Sequence, residues 1–296
     1  MTARRVVLAL VLGAAAFAVY VVAGLPARGE VSRLATTNPG VTSVMRQREE
    51  EARAAGKPVR MQQSWLPIRR MSKHLIHAVI ASEDQKFFGH EGVDWDAMQK
   101  ALETDRKAGR FARGGSTITQ QLAKNLYFTT GRSVVRKMRE IVVARWLEES
   151  LDKKRILEIY LNVIEWGDGV YGAQAAAQRY YGKPASALDE VEAAGLAAMI
   201  PNPRTIHPRV APRRHARAQR RVLWLMRSAG YLKREAGGLG AEPPPVDADD
   251  DADAEGDDAA GEPPLPPPPP APSAQPPEPV ELSPSPDVTE ASPEAP

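Results

Sequence analysis

Two adjacent acids, Glu83 and Asp84, are the first residues in the chain whose types and position suggest chemistry. They follow a largely apolar stretch at residues 75–81 and precede two phenylalanines, a histidine and two glycines. An acid at the end of a buried helix is only partly solvated, which raises its pKa towards the range that a general base needs near neutral pH. A helix end with solvated acids explains a single such pair better, so a catalytic interpretation depends on three further stretches of the chain, at residues 114–125, 136–140 and 153–183.

The second stretch begins with two glycines, the first of them Gly114, and continues as an amphipathic helix. The glycines have no Cβ, so another part of the chain or a ligand can lie close to the start of this helix. Ser116 is its expected N-cap. Thr117, Gln121 and Lys124 follow at spacings of i, i+4 and i+7, so they share one face. This polar face is suited to binding an oxygen-rich anion. An exposed amphipathic helix without that role explains the pattern as well.

The third stretch contains Arg136, Lys137 and Glu140. Arg136 and Glu140 are i, i+4 neighbours, and a surface ion pair worth a few tenths of a kcal/mol is the commonest reason for that spacing. Beside a second acid, the same group would instead keep a carboxylate ionised and leave basic side chains to meet a phosphate. The helix continues through the largely apolar residues 141–147, which favours a partly buried and functional Glu140.

Helices must position these residues, because the apolar periodicity is helical over nearly all of residues 65–235. This region is long enough for one core and one domain. No stretch alternates in the manner of a strand and no internal repeat is present, so we predict an all-α fold. Helices are expected near residues 71–82, 94–108, 116–126, 133–150, 153–163, 169–180, 187–199 and 212–229.

The N-terminus carries an apolar run, residues 6–25, that contains no charge and no proline and follows Arg4 and Arg5. Twenty residues at about 1.5 Å each span roughly 30 Å, the thickness of a bilayer core. The arginines predict a cytoplasmic N-terminus. A cleaved signal peptide is the alternative, but the run is longer than a usual signal segment. We therefore predict a retained anchor at residues 1–25 and a juxtamembrane segment at 26–64.

Charge is divided unevenly along the chain. Residues 241–296 hold 15 acids and 18 of the 27 prolines but no lysine or arginine. The first 240 residues hold all 39 basic residues against 22 acids, a formal net charge of +17. A basic body suits anionic partners, and an acidic, proline-rich segment cannot form a core. We predict a disordered tail at residues 236–296.

Taken together, these stretches resemble the motifs of the peptidoglycan glycosyltransferases, the family that polymerises lipid II into glycan strands. Five motifs occur in order over about 100 residues, and the likeness extends over residues 36–225. The matching residues are Glu83, Asp84, Phe87, His90 and Gly92 in the first motif; Gly114 to Asn125 in the second; Arg136, Lys137 and Glu140 in the third; Lys153, Ile156, Leu157, Glu158, Tyr160, Leu161 and Asn162 in the fourth; and residues 167–183 in the fifth.

The resemblance implies a lysozyme-like fold and a specific reaction. Glu83 would be the general base that deprotonates the 4-hydroxyl of the acceptor lipid II, and the resulting oxygen would attack the growing chain with inversion. Lys124, Arg136 and Lys137 would neutralise the undecaprenyl pyrophosphate leaving group. Glu140 would be the second acid, which orders these cations or assists the donor. The resemblance assigns substrate contact or groove shape to Asp84, Phe87, His90, Lys100, Gly114, Thr117, Gln121 and Asn125.

The resemblance also sets expectations for cofactors and accessory domains. No cofactor is predicted, although the family allows a divalent cation, Mg²⁺ or Mn²⁺, on the pyrophosphate. The sequence shows no recognisable set of ligands for such a cation. Gln174 and Arg155 stand where the family favours acids, both away from the proposed chemistry. Residues 40–45 and 164–167 resemble the monofunctional, biosynthetic branch. A Ser-x-x-Lys pattern at residues 150–153 has no Lys-Thr-Gly partner, so no transpeptidase domain is predicted.

Two other functions stay open at this point. A lytic, lysozyme-like enzyme also uses two carboxylates, but it has no need of a pyrophosphate-binding cluster. A non-catalytic, membrane-anchored scaffold that binds lipid II or cell-wall enzymes is opposed by the intact Glu83 and Glu140. Nucleic-acid binding is not expected. The leading prediction is a single-pass protein of the bacterial inner membrane whose periplasmic domain binds lipid II and the growing glycan strand, with cell-wall synthesis and division proteins as partners.

Overall fold

The fold is seen in a computed structural model, which describes residues 3–108, 115–131 and 133–233. This part of the chain is mostly helical. Its α-helices are α1 (Ala3–Ala23), α2 (Arg28–Arg33), α3 (Ser43–Ala54), α4 (Lys73–Glu83), α5 (Trp95–Ala108), α6 (Ile118–Tyr127), α7 (Val134–Ser150), α8 (Lys153–Val163), α9 (Ala173–Tyr181), α10 (Glu190–Ala197) and α11 (Pro212–Ser228). The predicted all-α class is confirmed, and all eight helices predicted for the globular region are present with small shifts at their ends.

A small sheet, which the sequence did not predict, accompanies the helices. Its strands are β1 (Gln62–Gln63), β2 (Glu165–Gly167) and β3 (Val170–Tyr171), with β3 in the centre, parallel to β1 and antiparallel to β2. Strands of two or three residues are too short to show an alternating pattern. Gly172 follows the sheet with a φ of 81°, and a Cβ there would lie 2.8 Å from the Asn162 carbonyl oxygen. The turn into α9 therefore requires glycine.

Helix α1 is apolar and almost entirely exposed. In the part of the chain that the structure describes, the helix beginning at Ala3 is the one long and apolar enough to cross a membrane, with a mean hydropathy of 2.7 over 18 residues. Its C-terminal end lies against α7, where Arg139 donates to the carbonyls of Tyr20 and Val21 over 2.6 and 3.0 Å. These features fit membrane anchoring, as predicted for residues 1–25.

The hydrophobic core is centred on α8, which buries almost every residue of its second half. Helix α4 packs against α10 and α11, and α6 packs against α3, α7 and α8. The segment predicted as juxtamembrane also contributes to this core, because Val31 and Met45 are fully buried and Leu34 is 7% exposed. Its boundary with the globular domain stays a prediction. The predicted disordered tail, residues 236–296, lies outside the described residues.

Candidate active site

Glu83 is the last residue of α4, and its carboxylate faces α6. The amide Nε2 of Gln121 donates to Glu83 Oε2 over 2.7 Å, and the amide Oε1 of Gln121 accepts from the Tyr160 hydroxyl over 2.9 Å. Tyr160 projects from α8 and is 0% exposed. Side chains from three helices therefore meet at one carboxylate through a single bridging amide.

The surroundings of Glu83 favour its neutral form. Burial is the largest cause that raises the pKa of this carboxyl, and the neighbouring Asp84 adds to the rise. The hydrogen bond from Gln121 and the charge of Lys124 act in the opposite direction. The side chain nevertheless keeps partial access to solvent. A reachable carboxylate with a raised pKa is suited to accepting a proton from a bound hydroxyl near neutral pH.

The adjacent acid, Asp84, points away from solvent and holds two elements together. Its carboxylate accepts from the Ile118 N–H at the first turn of α6 over 3.0 Å and from His90 Nε2 over 3.0 Å. The Gly92 N–H donates to His90 Nδ1 over 3.2 Å, so the proton of the neutral imidazole lies on Nε2. Asp84 and His90 thus fix the loop after α4 to the start of α6. Their direct contact with substrate stays a prediction.

Thr117 completes this attachment at the start of α6. It is the N-cap of the helix, whereas the predicted cap, Ser116, is wrong: its hydroxyl accepts from Lys137 instead. The Thr117 hydroxyl also donates to the carbonyl of Gly92 over 2.6 Å. Gly92 has a φ of 87°, and a Cβ there would lie 3.1 Å from the Ala144 carbonyl oxygen in α7. Glycine is therefore needed for this loop to lie against α7.

Phe87 and Asn125 support the same frame from inside. Phe87 is 0% exposed, and the ammonium of Lys153 lies 4.6 Å from the centre of its ring. The Asn125 side chain donates to the carbonyl of Gln121 over 2.8 Å within α6. Both residues were predicted to shape the groove, and both side chains are buried, at 0% and 7% exposure.

A second charged group lies on α7 and contains the other acid. Glu140 is 4% exposed; its Oε1 lies 3.2 Å from Arg136 Nε and its Oε2 lies 3.6 Å from Lys137 Nζ. Lys137 also donates to Ser116 Oγ over 2.8 Å and to Gln120 Oε1 over 2.9 Å. Burial lowers the pKa of Lys137, and the charge of Glu140 opposes that change. The third predicted motif therefore forms a compact cluster of two cations and one carboxylate.

Lys124 connects the two groups electrostatically. Burial is the main cause that lowers the pKa of its ammonium, and the charges of Glu140 and Glu83 oppose the change. Among the described residues, this ammonium makes no hydrogen bond or ion pair within 4 Å. A buried cation without a close partner, between two carboxylates, is available to bind an anionic group of a substrate.

Comparison with known proteins identifies the family. Residues 50–227 match the family model described as Transglycosylase. The biosynthetic peptidoglycan transglycosylase of Azoarcus sp. (strain BH72) is 46% identical over 213 residues, which cover 71% of this chain and 92% of the relative. That of Herminiimonas arsenicoxydans is 52% identical over 167 residues, or 56% of this chain and 72% of the relative. That of Chromobacterium violaceum is 44% identical over 191 residues, or 64% and 84%.

The chain belongs to the transglycosylase family. The family predicted from the five motifs is confirmed, and so is the predicted class of enzyme, a glycosyltransferase. The matched region begins inside α3 and ends inside α11, so it contains every helix that carries a predicted site residue.

Two predicted residues of this transglycosylase are not brought to the site by described contacts. Lys100 is exposed on α5, and Gly114 lies outside the described residues. Conversely, two residues that contact the site were given no role. Tyr160 matches the fourth motif, but only the fold shows that its hydroxyl reaches Gln121. Gln120 is fully buried beside Gln121 and anchors Lys137, which helical spacing alone does not indicate.

The donor atoms of the site do not fit a metal held by the protein. Within the described residues, no group of three histidine or acidic side chains could bind a metal ion. Glu83 and Glu140 are each occupied by amide or cationic partners, whereas Mg²⁺ and Mn²⁺ require several oxygen ligands. Protein cations are the groups available to meet a pyrophosphate here.

Proposed function

We propose that this transglycosylase polymerises lipid II, with Glu83 as the general base and the α6–α7 cations as the leaving-group site. The observation that carries the proposal is the pairing of a reachable carboxylate of raised pKa with Lys124, a cation without a close partner among the described residues. The name of the relatives, biosynthetic peptidoglycan transglycosylase, supports the choice of substrate.

The reaction follows from the two groups. Glu83 accepts the proton of the acceptor's 4-hydroxyl as that oxygen forms a bond to the anomeric carbon of the growing strand. The bond from the anomeric carbon to the pyrophosphate oxygen breaks at the same time, with inversion. Negative charge grows on the departing pyrophosphate, where Lys124, Arg136 and Lys137 stabilise it in place of water. Glu140 keeps the α7 cations in position, because each lies within 4 Å of its carboxylate.

The anchor fits this substrate. Both substrates carry lipid tails and move in two dimensions, so a membrane helix keeps enzyme and substrate in the same plane. Arg4 and Arg5 lie in the first turn of α1, directly before its apolar run, and the positive-inside rule then predicts a cytoplasmic N-terminus and a catalytic domain on the periplasmic face of the inner membrane. The basic body would also be attracted to anionic lipid head groups.

The proposal is tested with the full chain, purified in detergent and supplied with labelled lipid II. We expect long glycan strands from the wild type and a loss of about 1000-fold in Glu83→Gln, since general base catalysis contributes about 10²- to 10⁴-fold. The control is Glu91→Gln, which changes an exposed acid paired with Arg145 and should leave the rate near the wild-type value.

Three results would contradict the proposal. A well-folded wild type that makes no polymer would favour the scaffold function, and a Glu83→Gln variant that keeps the wild-type rate would remove Glu83 from the chemistry. Release of short fragments from preformed glycan would favour a lytic enzyme.

A further inference from the structure

Tyr160 is a buried tyrosine whose hydroxyl belongs to the active-site hydrogen-bond chain. It lies on α8 with no exposed surface, and its hydroxyl is 2.9 Å from Gln121 Oε1. The same amide donates through Nε2 to Glu83 Oε2 over 2.7 Å. A buried hydroxyl needs a hydrogen-bond partner, and the partner of the Tyr160 hydroxyl is the Gln121 amide, which is hydrogen-bonded to the proposed base. Tyr160 itself takes no part in the proton transfer proposed for Glu83.

The amide of Gln121 has two possible orientations, and they treat Glu83 differently. In the observed one, Nε2 donates to the carboxylate. In the flipped one, Oε1 would face the carboxylate, which is favourable only when Glu83 is protonated and can donate. Burial raises the pKa of the Tyr160 phenol well above its ordinary value, so the phenol stays protonated and keeps a proton to donate. In the flipped orientation the phenol oxygen could accept from Nε2, but its proton would lose the acceptor that Oε1 supplies in the observed one. The protonated phenol therefore favours the orientation in which Oε1 faces Tyr160 and Nε2 faces Glu83.

We propose that Tyr160 is a positioning residue that holds the Gln121 amide in the one orientation that donates to the ionised Glu83 carboxylate. Through this chain, Tyr160 keeps the proposed base able to accept a proton without itself touching the substrate. The inference rests on the proposed function, because it assigns Tyr160 a role through Glu83 as the base.

The other charges around Glu83 do not replace this contact. Asp84, at the end of the same helix, raises the pKa of Glu83, as burial does. Lys124 on α6 lowers it, but by less than the Gln121 hydrogen bond does. Glu140 on α7 faces Lys124, and Tyr160 faces Glu83 from α8. The amide is thus the largest influence that keeps Glu83 ionised, and losing its orientation must raise the pKa of Glu83.

The test is the dependence of kcat/KM on pH for the full chain in detergent with lipid II. The acid side of this profile reports the ionisation of the base in the free enzyme. In Tyr160→Phe we expect the acid limb to move to higher pH by roughly half to one unit, since the freed amide keeps only part of its hydrogen bond to the ionised carboxylate. The rate should recover partly at pH values above the shifted limb.

Tyr171→Phe is the matched control. Tyr171 is 1% exposed in β3, and burial likewise raises the pKa of its phenol, but Glu165 rather than Glu83 is the acid that faces it. We expect this variant to keep the wild-type acid limb even where it loses thermal stability. An unchanged limb in a folded Tyr160→Phe protein, or an equal shift in Tyr171→Phe, would overturn the inference and leave Tyr160 a packing residue.

Infrared titration of the carboxyl groups provides a second measurement that needs no activity. The Glu83 band is the one missing from Glu83→Gln, and its midpoint should rise in Tyr160→Phe. If Tyr160→Phe does not fold, Gln121→Ala should raise the midpoint of the same band, and 3-fluorotyrosine at position 160, a stronger donor, should lower it. A shifted band in a chain that makes no polymer would reject the proposed function alone. Polymer formation with an unmoved band and limb would reject the inference alone.

Discussion

The two glutamates of the site have similar side chains and opposite surroundings. Glu83 faces the neutral amide of Gln121. The cation that lowers the pKa of Glu83 is Lys124, which has no close partner in the described part of the chain. Glu140 lies within 4 Å of two cations, Arg136 and Lys137, and is 4% exposed. Glu83 keeps partial solvent access, so a bound hydroxyl can reach it. The first arrangement suits proton transfer, and the second suits holding positive charge in place.

This difference shows how one fold assigns different tasks to one residue type. A carboxylate is a useful base only when its ionised form is not fully satisfied by cations, because each cation lowers its affinity for a proton. A carboxylate with two cations beside it instead fixes their geometry, so that no reorganisation is needed when charge develops on a leaving group. The first carboxylate lies at the C-terminal end of α4, and the second lies in the middle of α7.

The largest loss of activity is expected when a cation of the leaving-group site is replaced. Lys124→Gln should lower kcat by about 100- to 1000-fold, as for the loss of one preorganised donor to developing charge. Lys137→Gln is the matched variant and should lose about tenfold, because Lys137 already donates to Ser116 and Gln120 and is one of two cations beside Glu140. Single-turnover rates with lipid II would compare them. Equal losses of rate in the two variants would mean that Lys124 and Lys137 contribute equally to the reaction, and would contradict this prediction.

A smaller effect is expected at the second acid. Glu140→Gln should lower kcat by about tenfold, since the α7 cations lose the charge that orients them but remain present. Its acid limb in the pH profile should coincide with that of the wild type, because the limb belongs to Glu83. If the limb disappeared in Glu140→Gln, the assignment of base and ordering residue would have to be exchanged.

Much of this site could be predicted from sequence, because its residues occur at helical spacings next to glycine turns. Thr117, Gln121 and Lys124 were placed on one face of a helix, and α6 presents Gln121 and Lys124 to Glu83. The pairing of Arg136 with Glu140 was likewise expected from its spacing and is present at 3.2 Å. Local periodicity determines which residues share a face, so these relations need no knowledge of the tertiary fold.

The remaining relations depend on contacts between distant elements. Asp84 was predicted beside Glu83 as a groove residue, yet its partner is the N-terminus of a helix that begins 34 residues later. The observed N-cap is Thr117 and not the predicted Ser116, and the Thr117 hydroxyl also donates to the Gly92 carbonyl. The role of Tyr160 is hidden for the same reason, since α8 and α6 meet only in the folded chain. Spacing within one helix carries no information on such partners.

The smallest predicted effect is one of stability, and it sharpens the contrast between the two acids. The folded-state pKa of Glu83 is raised above its ordinary value of 4.5, so the stability contributed by this group is present below that value and is lost as pH rises through the folded-state pKa. Glu83→Gln should therefore melt a few degrees above the wild type at pH 7 and at about the same temperature at pH 4. Thermal unfolding followed by circular dichroism checks this difference.

Glu140→Gln should behave in the opposite way in the same experiment. It leaves two cations in a buried cluster without their carboxylate, so its melting temperature should fall at pH 7. Glu91→Gln, on the exposed surface, should change little at either pH. A Glu83→Gln variant less stable than the wild type at pH 7 would show that its ionised form is satisfied by the fold, and the distinction between the two carboxylates would then be lost.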